Sequence, residues 1–365
     1  MSAAAPAVAD SAARRPLARL LPDGRRLHLQ DGPIDLIIEA FGPPDVIETA
    51  YRAALGRLTG LLDELCGELP ALRRPLSSTH HQHRESCPPP PTPPRYALRA
   101  REEGRRGAAA PLPPFASANG GEGFGARSAP GVGGFCPEPQ GELSGPVARR
   151  MAAAVAPYSK KMFITPMAAV AGSVADEILS AMRSACGDAL IRAYVNNGGD
   201  IALYLSPGTR FTTGLIDRPD KPSLFATAAI EAADSVRGIA TSGAGGRSFS
   251  LGIADAVTIL ARDAASADAA ATVVANAVDI AHPGILRVPA RDLQPDSDLG
   301  DRLVTRSVPS LAAPEVDAAL DAGVAVAQSL LDEGLIAAAA LHLQGTTRLV
   351  GSLMQNSVPH LSQPT

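Results

Sequence analysis

The sequence predicts a layered α+β fold in which helices pack on mixed or antiparallel sheets. Hydrophobic residues make up 45% of the 365 residues and charged residues 19%, so the chain can bury a substantial core. Apolar runs with strand spacing and runs with helix spacing alternate loosely, without a regular strand–helix–strand repeat. That pattern favours layered α+β architecture over a doubly wound parallel sheet.

The first elements of the core are two short strands and a helix. Residues 26–30 and 34–41 are predicted strands on either side of an Asp-Gly-Pro turn. Two prolines then end the second strand, and Asp45 is expected to cap a helix that runs to about residue 69. Leucines recur at helical spacing in that segment, so one face of the helix should be buried.

After Pro75 the composition changes abruptly, and residues 76–145 predict a disordered insert. This stretch is rich in proline and glycine and has no hydrophobic periodicity, so it cannot bury enough surface to offset its chain entropy. One interpretation is a polyproline segment that binds a partner, and the other is an expanded surface loop without a function. The histidines at 80, 81 and 83 lie in the insert, where no scaffold would fix a metal coordination shell.

The core resumes at Pro146 and is predicted to continue to about residue 350. Thr165-Pro166 is typical of a helix start, and small residues including Ala171 and Gly172 follow it, which would let a backbone or a ligand approach closely. Later strands are predicted at 191–195, 201–205, 211–216, 236–241, 256–261, 303–308, 335–343 and 347–350, and later helices at 264–281 and 314–331. The predicted organisation is therefore a tail (1–24), the first part of the core (25–75), the insert (76–145), the main part of the core (146–350) and a second tail (351–365).

Charge and composition narrow the classes of partner. A net charge of −4 gives no electrostatic case for nucleic acid, and no apolar run approaches the roughly 20 residues that span a bilayer. The four cysteines lack zinc-like spacing and the N-terminus lacks the pattern of a secretory signal, so a cytoplasmic protein with reduced thiols is expected. Homo-oligomers are compatible with the sequence, which leaves the oligomeric state open.

Three segments carry candidate functional residues, and the first is a turn. Asn197, Gly198, Gly199 and Asp200 lie between two predicted strands. Asparagine and glycine tolerate positive φ, so a tight hairpin turn is the structural explanation.

The second segment is rich in glycine and hydroxyl groups. It contains Thr241, Ser242 and Gly243, followed by Arg247 and Ser248. Exposed backbone N–H groups, hydroxyls and one arginine could together cradle a pyrophosphate. A single glycine-rich loop is weak support for such a site.

The third segment pairs a carboxylate with a hydroxyl on one predicted helix. Asp268 and Thr272 are separated by four residues, so both side chains project from the same face. Carboxylate and hydroxyl oxygens suit a hard cation such as Mg²⁺. The alternative is an acidic residue that interacts favourably with the helix dipole.

The order of these segments resembles that of a known superfamily. A Gly-Gly-Asp turn, an Ala-Thr-Ser-Gly segment and an Ala-Asp-Ala-Ala-Ala-Thr helix follow one another as in the ApbE-like proteins, the relatives of FAD:protein FMN transferases. The chain is most similar to an uncharacterised, cytoplasmic ApbE-like branch over about residues 25–75 and 146–350. The resemblance implies a flavin-nucleotide site at Gly198, Gly199 and Asp200 and a magnesium site at Asp268 and Thr272.

Departures from the transferase pattern bear on activity. The transferases carry a His-x-x-Asp-Pro-x-Thr-Gly motif where this chain has Ser250-Leu251-Gly252-Ile253-Ala254-Asp255, and Ala171 stands where they usually have lysine. Asp255 is the candidate acid–base group or second metal ligand. The resemblance therefore implies a small nucleotide ligand, FAD or FMN with Mg²⁺, for either a divergent FMN-transferring or pyrophosphate-cleaving enzyme or a non-catalytic flavin-binding or accessory protein. The acceptor protein of such a transferase is not specified by the sequence.

Overall fold

A nine-stranded antiparallel sheet organises the protein. The structure is a computed structural model that describes residues 16–76, 143–216, 224–246 and 248–356, without the side chains of 355 and 356. The strands in chain order are β1 (Leu17–Leu20), β2 (Leu27–Asp31), β3 (Ile34–Phe41), β4 (Arg192–Asn197), β5 (Asp200–Leu205), β6 (Arg210–Ile216), β7 (Leu224–Glu231), β8 (Gly238–Ser242), β9 (Ala256–Ala261), β10 (Leu286–Pro289), β11 (Leu303–Ser307), β12 (Ala338–Leu343), β13 (Thr346–Val350) and β14 (Met354–Asn356).

Helices connect and cover these strands. They are α1 (Pro44–Leu58), α2 (Leu61–Leu72), α3 (Pro146–Val155), α4 (Val170–Cys186), α5 (Ala264–Ala277), α6 (Ala290–Leu293) and α7 (Ala313–Asp332), with 3₁₀ turns at Pro166–Ala169 and Gly187–Ala189. No helix within the described ranges is both long enough and apolar enough to cross a membrane.

The strand order of the large sheet is β1-β2-β3-β4-β5-β8-β9-β12-β13, and every neighbouring pair is antiparallel. Two smaller sheets complete the fold, one of β14, β7 and β6 and one of β10 and β11. The predicted α+β class with antiparallel sheets is confirmed.

The two faces of the large sheet are covered by different layers. On one face, α1, α3 and α4 bury leucine, isoleucine and methionine side chains against β2 to β5, while α5 and α7 pack against β8, β9 and β12. On the other face, the three-stranded sheet packs against β5, β8, β9 and β12. Each of these layers buries apolar side chains, which is the dominant favourable contribution to folding.

Several local expectations need correction. The helix expected to run from residue 45 to about 69 is two helices, because Gly60 has a left-handed φ of 81° between α1 and α2. Thr165 does not cap a helix with its hydroxyl. It donates instead to the Asp298 carboxylate, and a 3₁₀ turn precedes α4.

Other expectations fall partly or wholly beyond what the structure describes. Strands β1 and β14 lie in stretches expected to be tails. Of the predicted insert, residues 77–142 lie outside the described residues, and so do Cys87, Cys136 and the three clustered histidines. Cys66 and Cys186, the two cysteines that are described, are free thiols.

Candidate functional site

The predicted turn at the end of β4 is a two-residue hairpin. Asn197 pairs with Asp200, and the two glycines between them have positive φ angles of 68° and 117°. Successive positive φ values are the conformation that glycine adopts without steric cost. Asn196 adds a local contact, because its side-chain oxygen accepts a hydrogen bond from the Gly199 N–H at 2.8 Å.

Polar side chains on either side of the turn reach two other elements. Asn197 is 6% exposed, and its amide nitrogen donates to the Ala171 carbonyl in the first turn of α4 at 3.1 Å. An Asp200 carboxylate oxygen accepts from the Thr241 N–H in β8 at 3.2 Å. The turn is therefore fixed to a helix start and to the end of a neighbouring strand.

Asp268 reaches the same helix start from α5. Its carboxylate accepts a hydrogen bond from the Gly172 N–H at 3.0 Å. Burial, and then the negative charge of Asp200, raise the pKa of the Asp268 carboxyl well above its ordinary value, although hydrogen bonds from Gly172 and Ala171 act in the opposite direction. Asp268 and Asp200 are therefore close enough to influence each other's ionisation.

Thr272 follows Asp268 by one helical turn, as the spacing predicted, since both residues lie within α5. The Thr272 side chain is half-buried. Among the described residues, its hydroxyl has no hydrogen-bond partner. The hydroxyl thus retains its capacity to bind a ligand.

The small residues of α4 serve close packing between helices. A Cβ added to Gly172 would lie 2.2 Å from the Ala264 carbonyl oxygen, so only glycine lets the first turns of α4 and α5 meet at this distance. Asp176 strengthens the crossing, because its two carboxylate oxygens accept from the Ala264 and Ala265 N–H groups at 3.1 and 2.9 Å. Each helix thereby supplies an aspartate to the N-terminus of the other.

The residues of the glycine-rich segment at and after the end of β8 differ in how deeply they are buried. Gly243 is buried, and a Cβ there would lie 2.3 Å from the Asp255 carbonyl oxygen, so this glycine is explained by backbone packing. Ser242 is half-buried, whereas Gly245 and Ser248 are exposed. Arg247 lies outside the described residues.

Thr241 and Asp255 lie at the same end of the large sheet as the turn, because β8 ends and β9 begins there. The Thr241 hydroxyl hydrogen-bonds the Thr258 hydroxyl at 2.8 Å. Asp255 accepts from the Gln344 N–H at 2.6 Å, and its own N–H donates to the His342 carbonyl. Asp255 therefore anchors the turn between β12 and β13, where Gln344 has a positive φ of 45°.

The donor set near Asp268 is compatible with Mg²⁺. The described residues contain no group of three or more histidine, cysteine, aspartate or glutamate side chains that could hold a metal alone. Magnesium, however, is usually bound through one or two carboxylates together with water and substrate phosphates. Two neighbouring carboxylates that repel each other and an unpartnered threonine hydroxyl fit that mode of binding.

Some residues of this arrangement were not identified from the sequence. Asp176, Asn196 and Thr258 make contacts that depend on how distant segments pack. Asn196 carried the clearest signal, because asparagine side chains at turns commonly hydrogen-bond backbone groups a few residues further along the chain.

Comparison with known proteins supports the family resemblance. A family described as "AbpE bacteria" matches residues 18–91 and 131–349. The unmatched residues between these two ranges all lie within the predicted insert.

Curated relatives from several organisms are also similar. A UPF0280 protein of Methanospirillum hungatei is 36% identical over 160 residues, which cover 41% of this chain and 58% of the relative. A UPF0280 protein of Methanosarcina acetivorans is 39% identical over 146 residues, covering 40% and 52%. A third, from Methanococcoides burtonii, is 37% identical over 131 residues, covering 33% and 49%.

The matching segments span about half the length of these curated relatives. The family match is broader, because it takes in both the N-terminal strands and the whole region from α3 to β13. The chain belongs to this uncharacterised ApbE-like family.

Proposed function

We propose that the protein binds a flavin nucleotide, FAD or FMN, together with Mg²⁺. The observation that carries the proposal is the convergence of two sequence motifs, the β4–β5 turn and the Asp268 segment of α5, on the first turn of α4. Asn197 donates to Ala171, Asp268 accepts from Gly172, and Asp200 raises the pKa of Asp268. Motifs up to 71 residues apart in the sequence thus meet at one helix start.

Asp268 and Thr272 would hold the metal. When bound there, Mg²⁺ would neutralise negative charge on the pyrophosphate of the nucleotide. The surroundings of Asp268 favour its protonated form in the absence of a cation, since burial and Asp200 both raise its pKa. A divalent cation would remove that repulsion, so metal binding should weaken as the pH falls.

Residues of the β4–β5 turn and residues at and after the end of β8 would contact the nucleotide. Asn197, Gly198, Gly199 and Asp200 would bind one side of the nucleotide, and Thr241, Ser242, Gly243 and Ser248 would offer hydroxyl and N–H donors to its phosphates. Arg247, which lies outside the described residues, is the candidate for a positive charge in this segment. Hydrogen bonds from such groups to a phosphate are charge-assisted and stronger than neutral ones.

In the enzymatic form of this proposal, the protein transfers FMN or cleaves the pyrophosphate. Asp255 is the acid–base candidate, because the histidine and Asp-Pro of the transferase motif are absent. A positioned acid–base group typically contributes about 10²–10⁴-fold to a rate. An enzyme without that motif should therefore transfer FMN slowly even if it binds the nucleotide well.

A specific observation favours a non-catalytic flavin-binding or accessory protein as the second candidate. The Asp255 carboxylate accepts a short hydrogen bond from the Gln344 N–H and stabilises a turn. A carboxylate held in this way fits a structural role better than proton transfer to a ligand.

Equilibrium titration with FAD tests the binding proposal. The affinity of the wild-type protein should be higher with Mg²⁺ than with EDTA, and Asp268→Asn should lower the Mg²⁺-dependent affinity by about tenfold or more, as expected for loss of an interaction with a charged group. Thr272→Val removes only the hydroxyl and should act in the same direction. Asp292→Asn, at an exposed aspartate in α6, is the matched control. Equal affinity with Mg²⁺ and with EDTA would exclude the metal site.

Two assays distinguish an enzyme from a binding protein. One measures release of AMP from FAD, and the other measures covalent incorporation of FMN into a threonine- or serine-bearing acceptor. Tight binding with neither product identifies a binding protein. AMP release or FMN transfer that requires Mg²⁺ identifies an enzyme. The cytoplasmic location stays a prediction.

A further inference from the structure

A cleft lies at the opposite end of the large sheet from the β4–β5 turn. It has a volume of about 650 Å³ and is bordered by α4, by the last residues of β5 and by the segments that precede β8 and follow β9. Because β5 runs from Asp200 to Leu205, its last residues are separated from the turn by the length of the strand. Ligand pockets for small molecules commonly have volumes of about 300–1,000 Å³.

Three arginines from three different segments line this cleft: Arg183 on α4, Arg237 before β8 and Arg262 after β9. Ser180 and Ser184, one turn apart on α4, add hydroxyl groups. The cleft therefore combines positive charge with hydrogen-bond donors, which is the chemistry that recognises a phosphate group.

Two of the three arginines, Arg183 and Arg237, are held in place without an ion pair to a described carboxylate. The Arg183 guanidinium lies over the Tyr204 ring at 4.4 Å, and among the described residues it has no carboxylate partner. Arg237 donates to the backbone carbonyls of Ala232, Asp234 and Val236, so its charge is held in place, and it forms no ion pair with a described carboxylate.

The acidic side chains near the cleft neutralise the charge of its arginines only in part. Arg262 contacts Asp263 through one nitrogen at 3.2 Å, and because the Arg262 side chain is 69% exposed, solvent weakens this ion pair. The carboxylate in the cleft, Asp176, directs both of its oxygens to the N–H groups at the start of α5. Arginine nitrogens thus remain available to a ligand.

We infer that this cleft binds a phosphate or pyrophosphate group through Arg183 and Arg262, with Arg237 as a fixed positive charge. The aromatic ring of Tyr204 and the adjoining leucines, Leu203 and Leu205, would contact the less polar part of a larger phosphorylated molecule. This site is separate from the proposed flavin site, and it does not depend on that proposal.

Calorimetric titration with inorganic pyrophosphate, in EDTA and at low ionic strength, tests the inference. The wild-type protein should bind pyrophosphate at this cleft, and Arg183→Gln or Arg262→Gln should each weaken binding at least tenfold. Arg306→Gln, which removes an exposed arginine of β11 outside the cleft, should leave binding unchanged.

A parallel titration with ADP identifies the source of the phosphate. Tighter binding of ADP than of pyrophosphate would indicate a nucleotide, and weaker binding would indicate a free inorganic anion. Both arginines are exposed, so their replacement by glutamine should preserve folding, and unchanged thermal unfolding verifies this. Absence of binding, or equal affinity in Arg183→Gln, Arg262→Gln and wild-type protein, would overturn the inference.

Discussion

At the scale of single residues, three aspartates near the crossing of α4 and α5 have different roles. Asp176 uses both carboxylate oxygens as hydrogen-bond acceptors at the start of α5. Asp268 accepts from Gly172 and is affected by the charge of Asp200, which in turn accepts from Thr241. Asp176 is therefore part of the helix crossing, whereas Asp268 and Asp200 belong to the candidate metal site.

The pKa of Asp176 predicts a pH dependence of stability. Burial is the largest cause that raises this pKa, from its ordinary 3.8 to about 6. Between about pH 4 and pH 6 the folded state therefore binds more protons at Asp176 than the unfolded state, so the stabilisation present below pH 4 is lost as the pH rises through 6. Since a tenfold change in an ionisation constant is worth about 1.4 kcal/mol, the contribution should be about 3 kcal/mol.

Urea unfolding of the wild-type protein and of Asp176→Asn at pH 4 and pH 7 measures this contribution. The asparagine variant cannot titrate at this position, so the stability of wild type relative to the variant should be greater at pH 4 than at pH 7. A difference between the two proteins that is the same at both pH values would show that Asp176 ionises normally in the folded state.

The sequence identified Asp268 but not Asp176, and the reason is physical. Asp268 and Thr272 form a pattern within one helix, which spacing alone makes visible. Asp176 accepts hydrogen bonds from backbone groups 88 and 89 residues away, and those groups carry no side-chain signal.

At the scale of elements, the close crossing of α4 and α5 positions the candidate site. The N-terminal turn of α4 presents backbone groups to Asn197 and to Asp268, and it can do so because Gly172 lets the helices meet. Ala264, Ala267, Ala270 and Ala271 on α5 are all buried, so small side chains line the second helix as well.

Gly172→Ala should destabilise the protein. The new Cβ would meet backbone atoms of Ala264, which cannot move aside as a flexible side chain could. Overpacking of this kind typically costs about 1–3 kcal/mol.

Gly67→Ala is the matched control, because Gly67 also lies within a helix and its Cβ would meet no atom within 4 Å. That substitution should raise stability by up to about 1 kcal/mol, the difference in helix propensity between alanine and glycine. Chemical unfolding of both variants measures the contrast. Equal effects of the two substitutions would show that α4 and α5 do not approach as closely as described.

The elements that the sequence did not predict share weak local signals. Strand β7 contains four alanines or threonines in succession, residues that do not favour a strand over a helix strongly enough to be recognised. Strands β10 and β14 have only four and three residues, and their pairing is decided by distant partners. A single helix is predicted across Gly60 because the helical spacing of the leucines continues on both sides of this glycine.

At the scale of the whole molecule, the flanks of the predicted insert converge. Glu68 on α2 accepts hydrogen bonds from the N–H groups of Ser144 and Gly145 at 3.0 and 2.7 Å. The chain therefore leaves the folded core after α2 and returns beside the same helix.

Deletion of residues 79–140, with a short glycine–serine linker in their place, should preserve the core. The entropic cost of closing a loop changes slowly with its length, and both flanks keep their own contacts. The thermal unfolding temperature and the FAD affinity should match those of the full chain. A large loss of either would assign the insert a role in folding or in binding.

The antiparallel strand order places the parts of the candidate site at one end of the sheet. The spacing of the motifs in the sequence does not determine this arrangement. The β4–β5 turn, the end of β8 and the start of β9 lie at one end of the sheet because neighbouring strands alternate in direction. The resemblance supplied the identity of the motifs. It did not supply the contacts of Asp255 with Gln344 or of Asn197 with Ala171, since these require the packed arrangement.

The central claim is that Asp268 and Thr272 hold a divalent cation beside a flavin nucleotide. Crystals of the protein grown with FAD and with Mn²⁺ in place of Mg²⁺ test it most directly, because manganese gives an anomalous signal. An anomalous peak is expected within about 2.0–2.3 Å of an Asp268 carboxylate oxygen, close to the Thr272 hydroxyl and to the phosphates of FAD. FAD bound with no anomalous peak at Asp268, or with the metal at another site, would contradict the account.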